Sequence, residues 1–180
     1  MKSKQQRSRK GLLLVFTGNG KGKTTAALGL AFRALGHGQR VAVVQFIKGS
    51  WKYGELEAAK RFSDQLDFHV MGRGFTWKSE DLDKDIAQAR KAWQFSCDLF
   101  RSNRHQLVIL DELTYLVAYD MISEKELLAG LALRPHDMHV VITGRDASPG
   151  LIEAADLVTE MREIKHPYKK GIKAQKGIEF

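Results

Sequence analysis

Short apolar runs of strand length alternate along the chain with amphipathic stretches of helix length. Residues 12–17 (LLLVFT) predict a buried strand, and residues 24–35 a helix stopped by Gly36 and Gly38. Residues 41–46 predict a second strand, followed by a loop around 49–54 and a short helix over 55–62. A third strand is expected at 66–71. Ser79 has the character of an N-cap, with Glu80, Asp81 and Asp83 in the first helical turn, where acids are favourable. Leu82, Ile86, Ala89, Trp93 and Phe100 fall on one stripe of the helix that follows. Residues 107–110 form a short apolar strand, and Ser123 with Glu126 make a capping box ahead of Leu127, Leu128 and Leu131. A strand at 138–143, a helix at 149–155 and a strand at 157–161 complete the pattern.

Strands alternating with helices imply βαβ units and a mostly parallel sheet covered on both faces. The 180 residues suit one domain, with no repeat, low-complexity tract or internal linker. Residues 1–10 are expected to be an arm, residues 11–180 the folded domain, and the lysine-rich stretch after Met161 a tail that wraps back.

Composition narrows the class. Hydrophobic residues make up 43% and charged residues 28%, which excludes collagen-like, disulfide-rich and wholly disordered chains. One cysteine, Cys97, cannot form an internal disulfide, so a cytoplasmic setting is expected, and Cys97 is expected to pack rather than react. No apolar run is long enough for a bilayer helix, and residues 1–10 lack the apolar core of a secretory signal.

The net charge of +8 is concentrated at the ends. Residues 1–10 hold five cations and no acid, residues 162–180 hold six cations and two acids, and the body between is left at −1. A body that neutral argues against a nucleic-acid face built on the fold. The basic ends are either solvated, or close over an anionic ligand.

The segment between the first strand and first helix carries the clearest chemistry. Thr17-Gly18-Asn19-Gly20-Lys21-Gly22-Lys23-Thr24-Thr25 has the length and ending of a Walker A loop, in the strand–loop–helix setting that motif requires. Glycines let backbone N–H groups turn inward as an anion nest, and the helix N-terminus adds to the attraction. Lys23 is placed to reach phosphates and Thr24 to ligate Mg²⁺. Thr17 stands where the motif has its first glycine, and Lys21 is an extra cation. Downstream, an apolar strand ends in Asp111-Glu112, the Walker B arrangement that holds Mg²⁺ or orients a reactant. Thr143-Gly144-Arg145 brings an arginine to the same sheet edge, where open α/β sheets bind ligands; a solvated loop arginine is the competing reading. Gly72-Arg73-Gly74-Phe75-Thr76-Trp77 permits two readings. Phe75 and Trp77 either pack under the next helix or form a flat platform for a large planar ligand. The six histidines show no metal-ligand spacing.

Taken together, GNGKGKTTAALGLAFRALGHG, VVQFIKG, GFTW, LVILDELTY, VVITGR and the ending KHPYKKGIKAQKGIEF resemble the P-loop cob(I)alamin (corrinoid) adenosyltransferases, from about residue 11 to 180. The resemblance implies a single-domain α/β P-loop fold, RecA-like and three-layered. It implies transfer of the 5′-deoxyadenosyl group of ATP to the cobalt of a reduced corrinoid, with tripolyphosphate released, in cobalamin biosynthesis and salvage. It further implies a cytoplasmic homodimer, Mg²⁺ or Mn²⁺ as cofactor, and an electron donor such as a flavoprotein reductase.

On the same basis Co(I) is itself the nucleophile, so no general base is required. ATP lies reversed relative to other P-loop enzymes, with C5′ toward the acceptor. Gly18, Asn19, Gly20, Lys21, Gly22, Lys23, Thr24, Thr25 and Arg145 are the implied nucleotide-binding set. Thr24, Asp111 and Glu112 are the implied metal ligands, and Lys23 is placed at the leaving triphosphate. Phe75 and Trp77 match the family's aromatic pair below the corrin ring. An apolar wall there supplies no axial ligand, which leaves a four-coordinate Co(II) that is easier to reduce. The competing classes are a P-loop phosphotransferase or ATPase, recognised by ADP as product, and an ATP-switched nucleic-acid-binding module, recognised by salt-sensitive binding.

Overall fold

A computed structural model describes residues 10–47, 49, 53–72, 74 and 82–179. Six strands form one sheet: β1 (Leu13–Thr17), β2 (Val41–Gln45), β3 (Leu66–Val70), β4 (Leu107–Asp111), β5 (His139–Thr143) and β6 (Leu157–Glu160). Their spatial order is β3-β2-β4-β5-β1-β6, and every pairing is parallel. The helices are α1 (Lys23–Gly36), α2 (Gly54–Ala59), α3 (Leu82–Ser102), α4 (Thr114–Ala118), α5 (Glu124–Leu131) and α6 (Pro149–Ala154). Short 3₁₀ turns follow at Lys60–Phe62 and Pro167–Lys170.

The central strands β1, β2, β4 and β5 are buried almost throughout, and alternate residues feed two separate cores. Phe16, Val41, Val43, Ile109 and Val141 meet the alanine stripe Ala27, Ala31 and Ala34 of α1. Three alanines on one face let the helix lie close against the sheet. On the other face Val15, Val44, Leu110 and Ile142 join Ala89, Trp93, Cys97 and Phe100 of α3, with Leu116 of α4, Leu127 of α5 and Leu151 of α6. The result is the expected three-layer α/β architecture.

Local departures from the sequence reading have local causes. The α3 stripe becomes buried from Ala89 onward, whereas Leu82, at the first described turn, is largely exposed. Ser79, Glu80 and Asp81 lie outside the described residues. The N-cap half of the capping box is formed: Ser123 Oγ accepts from the backbone N–H of Glu126 at 3.1 Å. The sheet is not covered at its β6 edge, where all four residues are exposed. Helix α4 has no counterpart in the sequence reading, because five residues are too few to show a 3.6 period. Of the basic arm, only Lys10 is described; its ammonium pairs with Asp156, which also accepts from Leu13 N at 2.9 Å.

Candidate functional site

The carboxyl ends of β1, β4 and β5 open onto a cleft of about 770 Å³. β5 lies between β1 and β4, so the Walker A and Walker B strands are not neighbours. Thr143, ending β5, spans that gap. Its hydroxyl donates to Asp111 Oδ1 at 2.7 Å and accepts from Glu112 N at 2.9 Å. Glu112 sits at φ 63°, a left-handed turn that brings its side chain to the cleft wall directly after the strand.

The phosphate loop is built against the start of the tail. Gly20 N donates to Met161 O at 2.6 Å, and Met161 N donates to Thr17 O at 2.8 Å. A Cβ on Gly18 or Gly20 would fall 2.5 or 2.7 Å from Met161 O, so close backbone approach explains both glycines. Gly22, at φ 111°, makes the left-handed turn into α1. Thr17 replaces the usual glycine without strain because it still belongs to β1, and its hydroxyl accepts from Ala147 N at 3.2 Å.

Asn19, Gly20, Lys21, Gly22, Lys23, Thr24 and Thr25 all line the cleft, together with Glu112 and Arg145. Gly18 lies behind it and offers its carbonyl to Lys23. The Lys23 ammonium donates to Gly18 O at 2.6 Å and Gly20 O at 2.7 Å, and so curls over the loop. Its pKa is lowered, first by burial and then by the positive charge of Arg145. Thr24 Oγ1 donates to Asp111 Oδ1 at 2.8 Å. Asp111 is 1% exposed and meets the cleft through Thr24 and Thr143, both of which line it.

Thr24 and Asp111 are oxygen donors suited to a hard divalent cation. No group of three or more His, Cys, Asp or Glu that could hold a metal exists among the described residues. That donor set fits Mg²⁺, which commonly takes one or two carboxylates and completes its shell with substrate phosphates and water.

Several cleft residues had no signal in the sequence reading. The tail does wrap back, as expected, and carries Glu163, His166, Tyr168, Lys169, Ile178 and Glu179 to the cleft. Glu179 pairs with Lys21, and Lys169 pairs with Glu163, holding that carboxyl below the usual range. Gln45 and Tyr53 stand behind Asp111. A polar residue closing an otherwise apolar strand (VAVVQ) is the one cue that could have flagged Gln45. Tyr115, on α4, also faces the cleft, and burial raises its pKa. Phe75 and Trp77 lie outside the described residues. The chain leading to them runs beside the end of β2. Met71 N and Gly72 N donate to Gln45 O, and Gly74 N to Ile47 O, at 2.9, 3.1 and 3.0 Å. Cys97 is buried on α3, and burial raises its thiol pKa, as a packing residue requires.

Residues 9–180 match the family described as ATP:corrinoid adenosyltransferase BtuR/CobO/CobP. A corrinoid adenosyltransferase of Pseudomonas aeruginosa is 50% identical over 176 residues, covering 98% of this chain and 87% of that protein. One from Escherichia coli K12 is 46% identical over 176 residues, covering 98% and 89%. Among solved structures, the flagellar accessory protein FlaH of Methanocaldococcus jannaschii superposes with a TM-score of 0.59 at 12% identity, covering 84% of this chain and 71% of that one. At that identity the likeness concerns the fold alone. No helix among the described residues is long and apolar enough to cross a membrane.

Proposed function

The chain belongs to the ATP:corrinoid adenosyltransferase family, and from that membership we propose how its own residues carry the reaction. The enzyme transfers the 5′-deoxyadenosyl group of ATP to a corrinoid. In our reading Co(I) of the reduced corrinoid attacks C5′, the C5′–O bond breaks with its electron pair leaving on oxygen, and tripolyphosphate departs. The nucleophile belongs to the substrate, so the protein has three tasks: to hold the triphosphate, to stabilise the charge it gains, and to align the corrinoid.

The observation that carries this reading is the convergence of Lys23, Thr24 and Asp111 at one phosphate loop. The curled ammonium of Lys23 is partly desolvated, which strengthens its attraction for an anion entering the loop. The amides of Gly22 to Thr25 at the α1 N-terminus add donors prearranged for phosphate oxygens. Arg145 and Lys21 supply further positive charge at the cleft wall. Thr24 and Asp111, with Glu112 beside them, would hold Mg²⁺ (or Mn²⁺), which supplies charge against the leaving triphosphate when bound. Asp111 is committed to Thr24, Thr143 and Gln45, so in our reading it serves the metal and positioning, with Glu112, rather than water activation.

The corrinoid half rests on Phe75 and Trp77 as the wall below the ring, with no axial ligand offered to cobalt. Residues 1–10 are read as an arm that closes over the corrinoid, in a cytoplasmic homodimer supplied with electrons by a flavoprotein reductase. The test mixes the protein with ATP, Mg²⁺ and chemically reduced cobalamin. Adenosylcobalamin in the product spectrum and tripolyphosphate as co-product are expected; ADP as co-product would replace this reading with phosphoryl transfer.

A further inference from the structure

Gln45 closes β2 beside Asp111, its partner in the β2–β4 register. It is 1% exposed, and a buried primary amide left unpaired is costly. Its Nε2 donates to Asp111 Oδ2 at 2.9 Å, and its Oε1 accepts from the Tyr53 hydroxyl. Only one amide orientation satisfies both neighbours. A carboxylate accepts and does not donate, so the NH₂ group must face Asp111. The carbonyl must then find a donor, and Tyr53 is one: burial, reinforced by the charges of Glu55, Asp111 and Glu112, pushes its pKa up to about 12, so it keeps its proton.

Asp111 is therefore gripped on both oxygens. Thr24 and Thr143 hold Oδ1, and the Tyr53–Gln45 chain holds Oδ2. Rotation of the carboxylate would break all three of those bonds at once. Tyr53 immediately precedes α2, whose Gly54, Glu55 and Ala58 form the opposite wall of the cleft. The chain thus links that wall to the carboxylate beneath the phosphate loop.

We propose that Gln45 and Tyr53 are positioning residues for the metal–nucleotide half of the reaction, holding Asp111 so that Oδ1 stays directed at Thr24 and the divalent cation accompanying ATP. This rests on the reading of Thr24 and Asp111 as metal-holding residues. Outer partners of ligating groups commonly change metal affinity or activity by about 10–100-fold when removed.

The test measures ATP affinity of the full chain calorimetrically, in excess Mg²⁺ and again in EDTA, alongside a thermal melt. Gln45→Met keeps length and volume but removes the amide; Tyr53→Phe removes one hydroxyl. The ratio of the two affinities should shrink by about tenfold in Gln45→Met and by about threefold in Tyr53→Phe, with EDTA affinity unchanged. A merely structural role would lower the melting temperature and weaken both affinities together, leaving the ratio intact. Asp111→Asn separates the two levels of the argument. If it loses the Mg²⁺-dependent gain while both other variants keep it in full, the positioning proposal is overturned. If Asp111→Asn itself keeps the gain, the metal reading fails and takes the proposal with it. Should Gln45→Met not fold, Tyr53→Phe decides alone.

Discussion

Thr24 Oγ1 donates to Asp111 Oδ1 at 2.8 Å although 87 positions separate them in the chain. One residue begins the helix after the phosphate loop, and the other ends a strand two places away in the sheet. The bond holds the two halves of the nucleotide site in register through side chains alone. Removing the Thr24 hydroxyl while keeping its shape, as in Thr24→Val, therefore acts twice. It deletes one oxygen donor proposed for the metal and leaves Asp111 Oδ1 held by Thr143 alone. The expected result is a kcat/KM loss of about 10–100-fold with a raised Mg²⁺ requirement, read from adenosylcobalamin formation across a Mg²⁺ titration.

Lys23→Ala removes the preorganised cation of the loop. Loss of one such donor costs about 3–4 kcal/mol in the transition state, two to three orders of magnitude in rate. The protein should still fold, because among the described residues the Lys23 ammonium bonds to loop carbonyls, Gly18 O and Gly20 O, that water can serve instead. A kcat/KM near that of the wild type would remove Lys23 from the mechanism.

Phe75→Ala and Trp77→Ala separate cobalt coordination from packing. Both variants should bind ATP and adenosylate a corrinoid supplied as Co(I), yet fail when the reaction starts from Co(II). The check is the spectrum of Co(II)alamin with enzyme and ATP. Variants producing the four-coordinate signal as fully as the wild type would assign both residues to packing, and truncation of core aromatics should then cost about 3–5 kcal/mol in stability.

Two helical glycines should respond oppositely to alanine. At Gly29 in α1, no described atom lies within 4 Å of an added Cβ, so the helix gains about 0.5–1 kcal/mol. At Gly130 in α5, the Cβ would fall 2.2 Å from Cζ2 of buried Trp93 and 3.0 Å from Cys97 Sγ. Overpacking of about 1–3 kcal/mol against a rigid indole should exceed the propensity gain. Thermal melts should move up for the first variant and down for the second; a raised Tm for Gly130→Ala would mean that Trp93 can yield.

His69 on β3 packs edge-on against Phe95, ring centroids 4.7 Å apart. Burial holds its pKa below the usual 6.5, opposed by Asp67 and assisted by His105. A lowered pKa means that the unfolded chain takes up the proton first. The neutral ring's contribution is complete above about pH 6.5 and is lost as pH falls through the folded-state value. Denaturant titrations from pH 7.5 to 5 should show the wild type losing stability more steeply than His69→Gln. Parallel curves would show that His69 titrates alike in both states.

Much of this was legible beforehand because the fold and its phosphate loop use local rules. The strand runs, the capping box at Ser123 and Glu126, and the Walker loop each state their case within about ten residues. Asp111 could be found because an apolar strand points to its own end. Tyr53 and Thr143 could not, and Gln45 shows only as a polar residue closing an apolar strand. Each matters through a partner brought close only by the sheet order, and nothing near Gln45 in the chain announces Asp111. Gly18 and Gly20 were read as phosphate glycines; their closest constraint is the backbone of Met161, some 140 residues later. Leu82 shows the converse limit, since a periodic stripe says which residues share a face but not how far along the helix burial extends.

The contact between the phosphate loop and Met161 also sets an order of events in time. Synthesis delivers Gly18 to Thr25 early, but the backbone against which Gly18 and Gly20 rest arrives only with β6. Closing so long a chain segment is slow relative to making any helix or turn within it. A nascent or truncated chain ending before Met161 thus holds every residue of the Walker motif and lacks the surface that shapes it. ATP affinity should appear late and abruptly in a series of C-terminal truncations, as a report that the last strand has docked.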